Sequence, residues 1–242
     1  MEIASPLKLI FKLLILAVLA TWLWVLTIGA VQSPKLTVES QPESPLHLSV
    51  FQVSPSERTG SSVITLMVMN GSATTVRAFA VAMSPGNSKT GVLLINAHND
   101  QQMWRANEIK PITLRKTDEE ILNGISFSID YVEFEDGSKW GSDTFDSASS
   151  LAGERDGFRQ AVAALTDRFR TQPVDSLSTD LDQTIDAVST PRDHSANWNQ
   201  GFHRGLNIVR ARLKRAQANG GKEKLVTEWE RIVAESKKTK TP

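Results

Sequence analysis

The 242-residue chain contains no cysteine. That absence excludes disulfides, thiolate metal sites, thiol nucleophiles and a lipid anchor on an N-terminal cysteine. Net charge is missing too: 27 basic and 27 acidic side chains balance, which argues against binding polyanions with the whole surface. What remains is ordinary. At 40% apolar and 22% charged, the composition is that of a globular chain, neither disordered nor fibrous. Its length suits one large domain or two small ones, enough to bury a real core.

The strongest signal lies at the N-terminus. Lys8 and Lys12 precede residues 13–31, nineteen positions without a charge. As a helix this run rises about 28 Å, close to the ~30 Å hydrocarbon core of a bilayer. Residues 1–31 are therefore expected to be a membrane element, either a transmembrane signal-anchor or a cleaved signal peptide. Against cleavage stand the length of the run, the mediocre sites around Thr27, Ile28, Gly29 and Ala30, and Pro34 directly after Ser33. Two lysines before the run, and only Lys35 shortly after it, place Met1 in the cytoplasm and the body outside. The expected location is membrane-anchored with an external body, or secreted if the segment is cut. Residues 32–45, with Pro34, Pro42 and Pro45 among serines, read as a linker.

Residues 46–145 read as strands. Short apolar runs separated by turn residues fall at 46–53, 62–69, 75–83, 91–96, 109–114, 125–134 and 139–140, the pattern of an antiparallel β-sandwich. Asn70-Gly71 predicts a tight primed-turn hairpin joining 64–69 to 76–81. Asp136-Gly137 predicts a second turn, between Phe134 and Trp140. In the run 125–134, Ile125, Phe127, Ile129 and Tyr131 share one parity, while Val132 and Phe134 take the other. That change means a β-bulge near Tyr131 or a strand buried on both faces, and the second is favoured.

A resemblance rests on two of these stretches. Ile129-Asp130-Tyr131-Val132-Glu133-Phe134-Glu135-Asp136-Gly137-Ser138-Lys139-Trp140-Gly141 resembles the last hairpin of immunoglobulin-like domains in exported bacterial proteins of unknown function. Val68-Met69-Asn70-Gly71-Ser72, followed by Val76, is similar to their early hairpin. The resemblance implies an immunoglobulin-like sandwich over about 95 residues and points to no active site.

After Trp140 the period becomes helical, so residues 146–242 are expected to be a helical region and the whole chain α+β. Leu151, Phe158, Val162, Leu165 and Phe169 form one stripe, stopped by Pro173. Trp198, Phe202, Leu206, Val209 and Leu213 form a second, stopped by Asn219-Gly220-Gly221. Leu225, Trp229, Ile232 and Val233 form a third. Between the first two, Leu177, Leu181, Ile185 and Val188 outline a short helix. Gly157-Phe158 and Gly201-Phe202 open similar patterns, and Gly201 and Gly205, four apart, predict a close approach by another element.

Charge is uneven along the chain. Residues 33–199 carry a net of −8 and residues 200–242 a net of +7. Arg204, Arg210, Arg212, Lys214 and Arg215 are the candidate binding residues, in a basic run that continues through Lys222 and Lys224, for anionic headgroups, a polyanion, or the acidic middle of the same chain. Nucleic acid is disfavoured because the segment is expected to be exported and its aromatics lie on apolar stripes.

The catalytic constellations are absent. There is no Gly-x-Ser-x-Gly elbow, and Asp193-His194-Ser195 cannot assemble a relay from consecutive side chains, so it reads as a helix N-cap. His47, His98, His194 and His203 lack metal-ligand spacing, and His98-Asn99-Asp100 reads as a polar loop. The carboxylates Asp130, Glu133, Glu135 and Asp136, and Asp180, Asp182 and Asp186, leave a glycosidase-like pair open on geometry. No metal and no cofactor is expected, and the chain is expected not to be an enzyme. The expectation is an interaction or scaffolding module outside the cytoplasm, with a protein partner and a membrane attachment through residues 1–31. The alternatives are surface or polyanion binding through the basic helix, and an enzyme with an unrecognised carboxylate site.

Overall fold

The computed structural model describes residues 35–85, 91–99, 101–171 and 177–238. The expected membrane element at 1–31 lies outside them, as do Pro173, Asp100 and the side chains of Phe169 and Leu177. Among the described residues no helix is long and apolar enough to cross a membrane. The chain is α+β. Strands β1 (Leu36–Val38), β2 (Leu46–Pro55), β3 (Ser61–Asn70), β4 (Val76–Pro85), β5 (Gly91–Asn96) and β6 (Ile109–Thr117) come first. Helix α1 (Asp118–Leu122), β7 (Ile125–Phe134) and β8 (Lys139–Trp140) follow. Helices α2 (Ser147–Thr171), α3 (Leu177–Asp186) and α4 (Ala196–Lys238) complete the chain.

Two sheets form, one in the order β1-β7-β4-β5 with β8 also on β7, the other β2-β3-β6. Their facing sides share one apolar core, built from Ile64, Leu66 and Val68 of β3, Phe79 and Val81 of β4, and Phe127 and Ile129 of β7. Strand β4 explains the layering. Its large residues Phe79, Val81 and Met83 enter that core, while Ala78 and Ala80 turn to the other face, where Leu151 of α2 packs on them. Alternation of large and small side chains thus lets a helix lie close on a sheet whose opposite face is already filled.

The parity change in β7 has both causes at once. The register passes from Ala80↔Tyr131 to Val81↔Ile129, so Asp130 is a bulged residue. The strand is also buried on both faces, with Ile129 and Val132 in the shared core and Tyr131 under α2. A second bulge at Arg77 sits opposite, between Val76↔Phe134 and Ala78↔Glu133.

Three expectations are corrected. The Asn70-Gly71 hairpin does not exist: β3 pairs with β2 and β6, and β4 with β5 and β7, so the chain crosses between sheets there. Asn70 is buried, and its amide donates to the carbonyls of Thr74 and Trp104 while its oxygen accepts from Ser72. That side chain, together with the antiparallel Val76↔Trp104 bridge, holds the corner. The stretch 32–45 is not a plain spacer, since β1 lies inside it. Nor is the pairing antiparallel throughout, because β1 runs parallel to β7. The Asp136-Gly137 turn does form, with Gly137 at φ 85° and β8 antiparallel to β7.

Helix α1 carries a capping box, Thr117 with Glu120. Helices α2 and α4 meet through glycine. A Cβ on Gly157 would stand 2.0 Å from the Phe202 carbonyl oxygen, and one on Gly201 1.9 Å from that of Ser150. Gly153 and Gly205 complete a Gly-x-x-x-Gly pair on each helix, with added Cβ atoms 2.1 Å from the Trp198 and Glu154 carbonyl oxygens. The short expected helix is α3, whose Leu181 and Ile185 enter the helical core. Helix α4 is broken at Gly220 and Gly221, the latter at φ 62°. Its two arms fold onto that core through Phe202 and Val209 on one side and Leu225 and Ile232 on the other.

Candidate functional site

The five basic candidates do not gather into one surface. Arg204 reaches inward to Glu154 at 3.2 Å. Arg210 pairs with Asp182 at 3.3 Å and with Asp186, and Lys214 pairs with Asp182 at 2.7 Å. Arg212 holds Glu228 at 2.6 Å and also Glu235. Arg215 alone of the five has no carboxylate partner among the described residues. The acidic residues 180, 182 and 186 thus meet the helical basic face of their own chain, with Arg168 on Asp180.

The other acidic group divides as well. Asp130, buried at its bulge, accepts backbone N–H bonds from Thr144 (3.0 Å) and Phe145 (3.4 Å) and organises the turn into α2. Asp143, in the same turn, accepts from the N–H groups of Ser147 and Ala148 at the helix start. Burial raises the Asp143 carboxyl above its ordinary value, against the helix bonds that lower it. Ser195 accepts from the Trp198 N–H at 3.1 Å, the N-cap expected for Asp193-His194-Ser195.

Between the first sheet and α2 runs a buried polar layer that the sequence does not announce. Glu133 pairs with Arg155 at 3.0 Å and with Arg77 at 3.8 Å, and accepts from the Tyr131 hydroxyl. Arg155 donates to Asn96, and Asn96 donates to Glu154. Glu154, 4% exposed, also meets His98 Nε2 at 3.3 Å and Arg204. Burial pushes the Glu154 carboxyl up, but the His98 hydrogen bond and the charges of His98 and Arg204 outweigh it, and its pKa lies below the ordinary value. Burial, then the Glu133 charge, pushes Tyr131 up. His98 stacks on Phe158 with ring centroids 4.9 Å apart, and its Nδ1 is buried without a partner. The His98 loop is therefore no ordinary polar loop. One signal was present: Glu154 falls on the same helical stripe as Leu151 and Phe158, where an apolar residue belongs.

His98 also lines, with Gln102, a cleft of about 810 Å³ whose other walls come from the two arms of α4. Among the described residues no group of three or more His, Cys, Asp or Glu side chains could hold a metal ion.

The sheet edges form the remaining candidate. A strand edge presents unpaired N–H and C=O groups, and proteins usually blunt it. Along β7, β1 covers residues 125–127 and β8 covers 132 and 133. In the gap Gln41 stands in for a strand: the Ile129 N–H donates to Gln41 Oε1 at 2.7 Å, and Gln41 Nε2 donates to the Ile129 carbonyl at 2.9 Å. In β2 the register shift at Phe51 makes a bulge. The Ser56 N–H donates to the Ser61 carbonyl, so by alternation Pro55 takes an outward backbone position. In β6 the Asn70 bond to Glu108 sets Pro111 outward in the same way. Among the described residues strand β5 has none of these devices. The Ala97 N–H donates to Arg77, so the backbone groups of Val92, Leu94 and Asn96 point away from β4, along six residues without a charge or a proline.

No protein-family model matches this chain, and no curated protein matches it. One solved structure, the X-ray structure of Northeast Structural Genomics Consortium target SoR45, is similar over 39% of this chain and 75% of its own, at 10% identity and a TM-score of 0.24. A likeness at that level carries no argument.

Proposed function

We propose that this protein is a non-enzymatic interaction module whose body lies outside the cytoplasm at a membrane surface, attached or exported through residues 1–31. The immunoglobulin-like character of its two sheets belongs to the same proposal. The uncharged, undefended edge of β5 carries it. The β2 edge bears a bulge and a proline, the β6 edge bears a proline, and the β1 edge is only three residues long, whereas among the described residues β5 bears none of these protections. An extended segment of a protein partner pairing with Val92, Leu94 and Asn96 would gain main-chain hydrogen bonds along the strand. Binding through the basic helix has less support, because Arg204, Arg210, Arg212 and Lys214 are already paired within the chain.

The test places a photo-crosslinking residue at position 92 of the full-length chain in cells, and at position 113 of β6 as a control. A partner crosslinked from 92 and not from 113 is the expected outcome. In a separate arm, Val92→Pro removes an outward N–H without touching the β4 ladder, and is expected to abolish co-purification of that partner while leaving Tm within a few degrees. Equal crosslinking from both positions, or capture undiminished by the proline, would sink the strand-addition reading.

A further inference from the structure

Each arm of α4 turns a polar face to the cleft, and the charges there are unequally spent. Arg212 binds Glu228 and Glu235, and Arg231 lies 3.7–3.8 Å from the same two carboxylates. That inner quartet is neutral. Arg215 on the first arm also lines the cleft and has no carboxylate partner among the described residues. Lys224 on the second arm lines it too, and among the described residues its ammonium donates to the Asn219 carbonyl, at 3.3 Å, and has no carboxylate partner. Against them stands the single exposed carboxylate Glu223. His98, 8% exposed and with its Nε2 on Glu154, also lines the cleft.

We propose that this cleft binds a small anion bearing a carboxylate or phosphate group. Its charge would bridge Arg215 and Lys224 across the break at Gly220 and Gly221, and its body would reach the His98 end. The volume suits a small molecule, and the surplus of cations excludes a bare metal ion as the natural occupant. Because the bridged cations belong to opposite arms, the ligand would also hold the arms together.

The experiment titrates the full-length chain, in detergent micelles, with inorganic phosphate and separately with succinate, with potassium chloride at matched ionic strength as control. Saturable binding of one of them, a rise in Tm, and movement of the His98 ring proton resonances are expected. Arg215→Gln and Lys224→Gln should each weaken binding by about tenfold, the loss of one charge-assisted hydrogen bond. Lys214→Gln, whose partner is Asp182 outside the cleft, should leave it unchanged. No saturable binding of either anion overturns the proposal, as does an equal response to chloride or binding that survives both substitutions together. Binding only to phosphatidylglycerol vesicles would overturn it in favour of a membrane-surface contact.

Discussion

Replacing Gln41 by alanine leaves the N–H and C=O of Ile129 unpartnered in the one stretch of β7 that neither β1 nor β8 covers. The expected loss is about 1–3 kcal/mol, measured by urea unfolding. A loss near zero would mean that water replaces the side chain. Glu154 offers a different kind of test. Its folded pKa lies below its ordinary value of 4.5, so the stability it contributes is full above that value and is lost as pH falls through the folded one. Glu154→Gln should therefore cost roughly 3 kcal/mol at pH 7, the scale of breaking a buried ion pair from one side. The urea midpoints of the two proteins should converge as pH drops below about 4.5. If the gap persists in acid, lost packing rather than lost charge is the cause. Gln41 was not legible in the sequence, and Glu154 only as a polar residue out of place. A glutamine among prolines and serines looks like any linker residue, and a glutamate on an apolar stripe acquires meaning only when His98, 56 positions away in sequence, packs beside it.

At the scale of elements, periodicity carried well. The strands appear where alternation put them, and the three apolar stripes became α2 and the two arms of α4. Partnership did not carry. Asn-Gly between two apolar runs is a hairpin signal only while the asparagine side chain is free, and here Asn70 spends it on the Thr74 and Trp104 carbonyls. Strand β1 was missed because three residues are too few to show alternation, and its stability comes from β7. Helix α1 could have been found from Thr117-x-x-Glu120. The close approach expected at Gly201 and Gly205 is present, answered by Gly153 and Gly157. Gly201→Ala or Gly157→Ala would drive a methyl into backbone, and each should destabilise by about 3 kcal/mol or more, since the helices must part to admit it. Chemical denaturation measures this, and a change under 1 kcal/mol would show that the crossing is looser than drawn. Alanine at Gly60, where nothing lies within 4 Å, gives the contrasting case, with only the strain of its φ of 74°.

Across the whole molecule, the sheets and helices are joined by two kinds of contact. Ala78 and Ala80 meet Leu151 through apolar packing, and the chain from Arg77 through Glu133, Arg155 and Asn96 to Glu154 joins them through charge. Residues 36–242 form one compact unit. Unfolding should accordingly be a single transition. Variants that keep only Trp104, in the sheet core, or only Trp198, in the helical core, should report the same urea midpoint; separated midpoints would show two independently stable halves.

The pairing of β1 with β7 also sets an order of events during synthesis. Gln41 and Ile129 are 88 positions apart, and a ribosome adding about 5–20 residues per second needs roughly 4–18 s to cover that interval. For that time β1 has no β7 to pair with, and β7 can be sealed along that edge only after its own synthesis. A nascent chain arrested before Ile129 would present β1 as an open strand, which makes that interval the period when a chaperone has something to hold.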